Sequence, residues 1–240
     1  MSPLRKTAFV AGALYLLTFV SIPTLALYNG VLHDPKYIIG PGPDTAVILG
    51  AILEMIVALA CIGTAVALYP VVKRQNEGVA LGFVGSRVLE AATIVACVVS
   101  VLSIVTLRQA GVGAEALVTG HALVALHDRV FLLGQGLLPA MNAVLLGSLL
   151  YKSRLVPRVL PLLGFIGAPL LVASDIGTLF NLWGQISSVS AVAALPIALW
   201  EFSLGVWLVV KGFKPSPITA DYNRPVAVDT RFLAPVSAVR

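Results

Sequence analysis

Charge is scarce in this chain. Asp, Glu, Lys and Arg make up only 11% of its 240 residues, where a soluble domain carries about a quarter. With 58% hydrophobic residues and a mean hydropathy of +0.97, the chain has too little polar surface to stay dissolved as a globule, which excludes a soluble enzyme or binding module. Cysteine is scarcer still. Cys61 and Cys97 both fall inside apolar runs, so neither a disulfide framework nor a paired-cysteine metal knuckle is available, and both read as small buried packing residues. His33, His121 and His127 show neither HxxxH nor HExxH spacing and, with Asp34 and Asp128, make a poor zinc signature. No GxSxG, GxxxxGK or GxGxxG string is present, so nucleophile elbows, phosphate-binding loops and dinucleotide fingerprints are missing too. No cofactor and no metal site is expected.

What the chain has in abundance is apolar length. A helix that crosses the hydrocarbon needs about 20 apolar residues, and six such runs occur, at about 8–27, 46–69, 79–107, 123–150, 160–182 and 186–210. The expected fold is all-α: a polytopic six-helix transmembrane bundle with short loops, forming one membrane domain over residues 1–212. The first run is too long for the apolar core of a signal peptide and reads as a retained helix. Pro23, Pro139, Pro161, Pro169 and Pro196 lie within runs and predict kinked helices. Residues 213–240 are rich in Pro and small polar residues without a helical period, and are expected to form a flexible cytoplasmic tail that adds nothing to the membrane fold.

The basic residues sit just outside the runs. One side collects nine (Arg5, Lys6, Lys73, Arg74, Lys152, Arg154, Arg158, Lys211 and Lys214), whereas the other has Lys36 and Arg108, with Arg129 near its edge. The formal net charge of +5 is therefore a topology signal and not a nucleic-acid footprint, and both termini are expected in the cytoplasm.

Four runs carry a carboxylate well inside them: Glu54, Glu90, Asp175 and Glu201. Each costs about 2.5 to 3.5 kcal/mol on insertion, so each needs a partner, a proton or water. Arg87 precedes Glu90 by three residues on the same helical face. The two can neutralise each other within one helix, or Arg87 can also reach a carboxylate on another helix, for which Glu201 has a matching depth. The acids share faces with small residues: Gly50, Ala58 and Cys61 with Glu54; Ser86 and Cys97 with Glu90; Ser187, Ser190 and Ala194 with Glu201. Those faces are expected to be inter-helix seams. Glu54 and Asp175 lie at like depths, which opposes an inverted internal repeat. On the fourth run Asp128, Gln135 and Asn142 recur every seven residues. This stripe is expected either to hydrogen-bond helix to helix or, with Asp175 opposite, to line an outward-opening cavity for a small ligand or lipid headgroup, with Arg129 at the mouth favouring an anionic group.

Several strings together resemble a known family. RKTAFVAGALYLLT, SRVLEA around Arg87 and Glu90, ALHDRVFLLGQGLLPAMNAVLLGSLLYKSRLVPRVLPLLGFIGAPLL and ALPIALWEFSLGVWLVVKGFKP look like the bacterial membrane family called domain of unknown function 4386, over about residues 4–215. The resemblance implies a six-helix protein of the bacterial inner membrane. It brings no reaction and no site residues. The expected function is an integral membrane protein that binds or passes a small molecule, lipid or proton through a charged core, with membrane lipids as partners and its oligomeric state open. The alternatives are an intramembrane metal-assisted hydrolase at the outer face, which the missing nucleophile weighs against, and a bundle whose polar residues only hold it together.

Overall fold

A computed structural model of the chain describes residues 1–220. Six helices are long and apolar enough to cross a membrane: the first span Pro3–Leu27, the second Thr45–Val72, the third Glu77–Gln109, the fourth Ala114–Ser153, the fifth Val159–Leu179 and the sixth Ser188–Val210. Among the described residues there is no strand. Helix starts are set by local chemistry. The side chains of Ser2, Asn76 and Ser187 accept hydrogen bonds from the backbone N–H of Arg5, Val79 and Ser190, satisfying donors that a helix start leaves free. The Asn76 cap begins the third span at Glu77, two residues before the expected 79.

Each span packs on the next, and the sixth returns onto the first, closing a ring. Small residues make the closure possible. A Cβ on Gly12 would lie 2.7 Å from the carbonyl oxygen of Gly205, so the first and sixth helices touch backbone to backbone there. At the end carrying Pro3 and Val210, here the near end, Arg5 donates from Nη1 to the Leu208 carbonyl at 2.8 Å and from Nη2 to the carbonyls of Val209 and Val210. It thereby fills the open carbonyls at the sixth helix's negative end. One apolar cluster, with Phe83, Leu146, Leu150, Trp200 and Leu204, fills the near half. Another, with Tyr28, Ile38, Val101 and Ile104, fills the far end. Arg87 and Glu90 lie between them on the third span, after Phe83 and before Val101.

Two spans depart from regular helix where a cavity needs room. The first turns to 3-10 geometry at Thr18–Ser21, ahead of Pro23, and resumes at Thr24–Leu27. The hydroxyls of Thr18, Ser21 and Thr24 each donate to the carbonyl three residues back, replacing bonds the break removes. The fourth contains a π-helical segment, Leu132–Gly136, a wide turn that shifts the phase of everything after it. Pro161, by contrast, makes no kink: it stands in the first turn of the fifth span, where a backbone N–H has no helical acceptor. Pro70 lies inside the second span as well.

Residues 213–220 correct the expectation for the tail. Lys214 N–H donates to the Leu155 carbonyl at 2.7 Å, Ser216 Oγ to the Ser153 carbonyl at 2.6 Å and Arg74 Nη1 to the Ile218 carbonyl at 3.3 Å, and Ser216 and Thr219 are buried. Ser216 satisfies a carbonyl at the end of the fourth span, while Thr219 Oγ1 donates within the stretch to the Ser216 carbonyl at 3.0 Å. Residues 221–240, the rest of the expected tail, lie outside the described residues.

Candidate functional site

Arg87 is the centre of the polar layer. Its side chain is 1% exposed, with Nη1 donating to Glu90 Oε2 at 2.8 Å and Nη2 to Glu201 Oε1 at 2.9 Å. Both accounts of its pairing therefore hold at once: one carboxylate comes from its own helix and one from the sixth. The guanidinium also lies 4.9 Å from the Tyr15 ring centroid, where the ring face attracts a desolvated cation. Cys61, buried and free, accepts a weak bond from Nη1 at 3.7 Å. Asn142 from the fourth span donates to Glu90 Oε2 at 2.7 Å. One guanidinium thus faces two carboxylates, leaving one negative charge uncompensated if both are ionised.

That cluster borders a cavity of about 280 Å³ to which every span contributes: Thr18, Cys61, Arg87, Glu90, Gln135, Leu171 and Glu201 are on its wall. Arg87 Nε and Gln135 Nε2 are buried donors without a partner among the described residues. When both acids are ionised the cavity wall carries one negative charge in excess, and it suits water or another polar guest.

Nearer the far end is a second polar cavity, of about 370 Å³, lined by Tyr28, Glu54, His127, Asp128, Phe131 and Gln185 among others. Glu54 is 2% exposed and accepts from the Tyr28 hydroxyl at 3.3 Å. His127 Nδ1 lies 3.1 Å from Asp128 Oδ1; a carboxylate can only accept, so the proton sits on Nδ1. No residue borders both cavities. Their walls separate within about one turn on three spans, between Thr24 and Ile22, Glu54 and Val57, and Phe131 and Gln135. On the fourth span the π-helical segment fills that interval.

The stripe of Asp128, Gln135 and Asn142 does not line one cavity. Asp128 borders the far-end cavity, Gln135 the central one, and Asn142 is buried on Glu90. A spacing of seven holds one face only on a regular helix, and the π-helical turn plus Pro139 break that regularity. Asp175 stands apart from both cavities, its carboxylate lying across Gly136 in the π-helical segment with Oδ2 buried and unpartnered among the described residues. Arg129 is exposed and borders neither cavity, so the basis for an anion at the mouth is gone.

His33, Asp34, His121 and Asp128 do meet around a third hollow of about 270 Å³ at the far end. Among the described residues no group of three or more His, Cys, Asp or Glu side chains is placed to hold a metal ion. A staple that no sequence pattern marks lies nearby. Arg108 pairs with Asp44 and lies 4.9 Å from the Tyr37 ring, while Gln109 Nε2 donates to Asp44 Oδ2 at 3.0 Å, tying the first long loop to the end of the third span. Partial burial pushes the Asp44 carboxyl up, but the hydrogen bonds from Arg108 and Gln109 outweigh it and hold the group below the usual range. A loop carboxylate 64 residues from its arginine carries no local spacing signal that would have revealed the pair.

No curated protein and no solved structure matches the chain. The family described as Domain of unknown function (DUF4386) matches residues 10–212, from within the first span to just past the end of the sixth, and the chain belongs to that family.

Proposed function

We propose that this multi-pass membrane protein accepts a proton or a small hydrophilic guest in its central cavity, through the imbalance of Glu90 and Glu201 against Arg87. The observation that carries the reading is that imbalance on the wall of a cavity to which all six spans contribute. A buried ion pair that served packing alone would be balanced and fully bonded, because each uncompensated buried charge or donor costs stability. Here two carboxylates face one guanidinium and two buried donors lack a partner among the described residues, which suits water and a proton moving between the acids. The setting that the family resemblance implies is a bacterial plasma membrane, and the nine basic residues of the near side support an orientation with both termini in the cytoplasm. The charge imbalance and the cavity support a role in binding or passage.

Proteoliposomes loaded with a pH-sensitive dye and given a proton gradient test this directly. Liposomes with the full chain are expected to dissipate the gradient faster than protein-free ones, and Glu201→Gln to remove the excess. For a solute, mass spectrometry of protein purified in mild detergent is expected to find a bound species that Glu201→Gln loses. Neither excess flux nor a bound species would reduce the cluster to internal glue. Orientation is read with single cysteines on a background lacking Cys61 and Cys97: labelling by an impermeant thiol reagent in intact cells near Asp34, with protection near Lys73, is the expected pattern, and the reverse overturns it.

A further inference from the structure

The far-end cavity carries a chemistry of its own, separate from the central one. Its wall has two carboxylates, Glu54 and Asp128, and neither Lys nor Arg. His127 is 4% exposed, and its Nε2 is buried without a partner among the described residues. With a proton on Nδ1 towards Asp128, the uncharged form of the ring would present Nε2 as an acceptor. Glu54 receives the Tyr28 hydroxyl, and that donor is neutral. Apart from its two histidines the wall is short of donors and of positive charge, an arrangement whose desolvation cost a cation with N–H groups would offset.

We propose that this cavity binds a protonated primary amine. An ammonium group has three N–H donors and no acceptor. They match three acceptors on the wall: the Glu54 carboxylate, His127 Nε2 and the Asp128 carboxylate. The rings of Tyr28 and Phe131 flank His127, each with its centroid 6.1 Å from the imidazole, and leave the ligand's neighbouring carbons an apolar wall. The volume of about 370 Å³ falls in the usual range for small-ligand sites. The rim includes Leu25 and Ile186, both largely exposed, so the amine can arrive on an aminophospholipid headgroup whose chains stay outside, or as a free small molecule. The site stands whether or not the central cavity passes anything.

The test uses the full chain in phosphatidylcholine nanodiscs. Ethanolamine and choline are titrated separately and followed by ligand-observed NMR. In a parallel arm phosphatidylethanolamine is exchanged into the discs, and the lipid retained on extraction is read by native mass spectrometry. Ethanolamine or phosphatidylethanolamine is expected to bind and the choline counterpart of each to fail, since a quaternary ammonium has no N–H to give. Retention of the lipid without binding of ethanolamine identifies the headgroup as the source, and binding of ethanolamine identifies a free amine. Glu54→Gln is expected to weaken binding roughly tenfold or more, the loss of one charge-assisted hydrogen bond. If that variant does not fold, Asp128→Asn, at a half-exposed side chain, is expected to act in the same direction. Choline binding equal to ethanolamine, no binding in either arm, or undiminished affinity in the folded variants overturns the proposal.

Discussion

Replacing Arg87 with Met asks how much the bundle depends on its central cation. The side chain is 1% exposed and bonded to two carboxylates at 2.8 and 2.9 Å, and Met keeps most of its volume against Tyr15 and Phe83 while removing the charge. Two buried carboxylates are then left facing each other. Removing one partner of a buried pair costs about 3 to 5 kcal/mol, reduced to the extent that a stranded acid takes up a proton. The single changes on the acid side differ from this and from each other. Glu201→Gln leaves Arg87 paired with Glu90 in a neutral cluster and is expected to cost little. Glu90→Gln is expected to cost more, because Glu90 Oε2 receives both Arg87 and Asn142 and is the more buried carboxylate. Combining Arg87→Met with Glu201→Gln is expected to recover part of the loss, with a coupling of about 0.5 to 3 kcal/mol. Unfolding of the purified protein in mixed detergent micelles, titrated with denaturing detergent, reads all four variants. If Arg87→Met unfolds with the parent, the cluster does not hold the bundle together and the reasoning fails.

Two further outcomes follow from packing and charge. Gly167→Ala places a Cβ 2.8 Å from the backbone nitrogen of Ile197 and is expected to part the fifth and sixth spans at about 1 to 3 kcal/mol, whereas Gly85→Ala, with nothing within 4 Å, is expected to cost nothing; equal effects in the same unfolding titration would refute the seam. Asp44, whose carboxyl is held low by Arg108 and Gln109, contributes stability that is fully present above the ordinary aspartate value of about 3.9 and is lost as pH falls through its lower folded value. The stability gap between the parent and Asp44→Asn should therefore be flat at neutral pH and close only in acid, and a gap that widens as the pH falls would contradict the staple.

Much of the fold was legible in the residues because the membrane imposes its rules one segment at a time. Each span needs its own apolar length, so six runs yield six helices, with ends moved by caps such as Asn76 that lie outside the apolar pattern. The seam residues Gly50, Glu54, Ala58 and Cys61 are buried as their shared face implied. Arg87 and Glu90 were readable as a pair because three residues on a helix is a fixed distance. The spacing of seven from Asp128 to Asn142 implies one continuous face only on a regular helix, and glycine-rich LLGQG gives no clear warning of a π-helical turn. Adjacency of Arg129 to Asp128 along the chain likewise says nothing about which side of the helix borders a hollow.

By itself the sequence determined that this is a six-span all-helical protein with charge in its interior, since apolar length, small-residue faces and insertion cost are properties of single segments. Only the tertiary structure decided that Glu201 would join Glu90 on Arg87, that Glu54 and His127 would share a cavity 73 residues apart in the chain, and that residues 213–220 would pack on the bundle. Those facts depend on which faces meet when the sixth span closes onto the first, and that choice is made by backbone contact at Gly12 and Gly205 and by breaks in the first and fourth spans. A cavity belongs to no segment, so its shape and its charge balance exist only once the ring is closed.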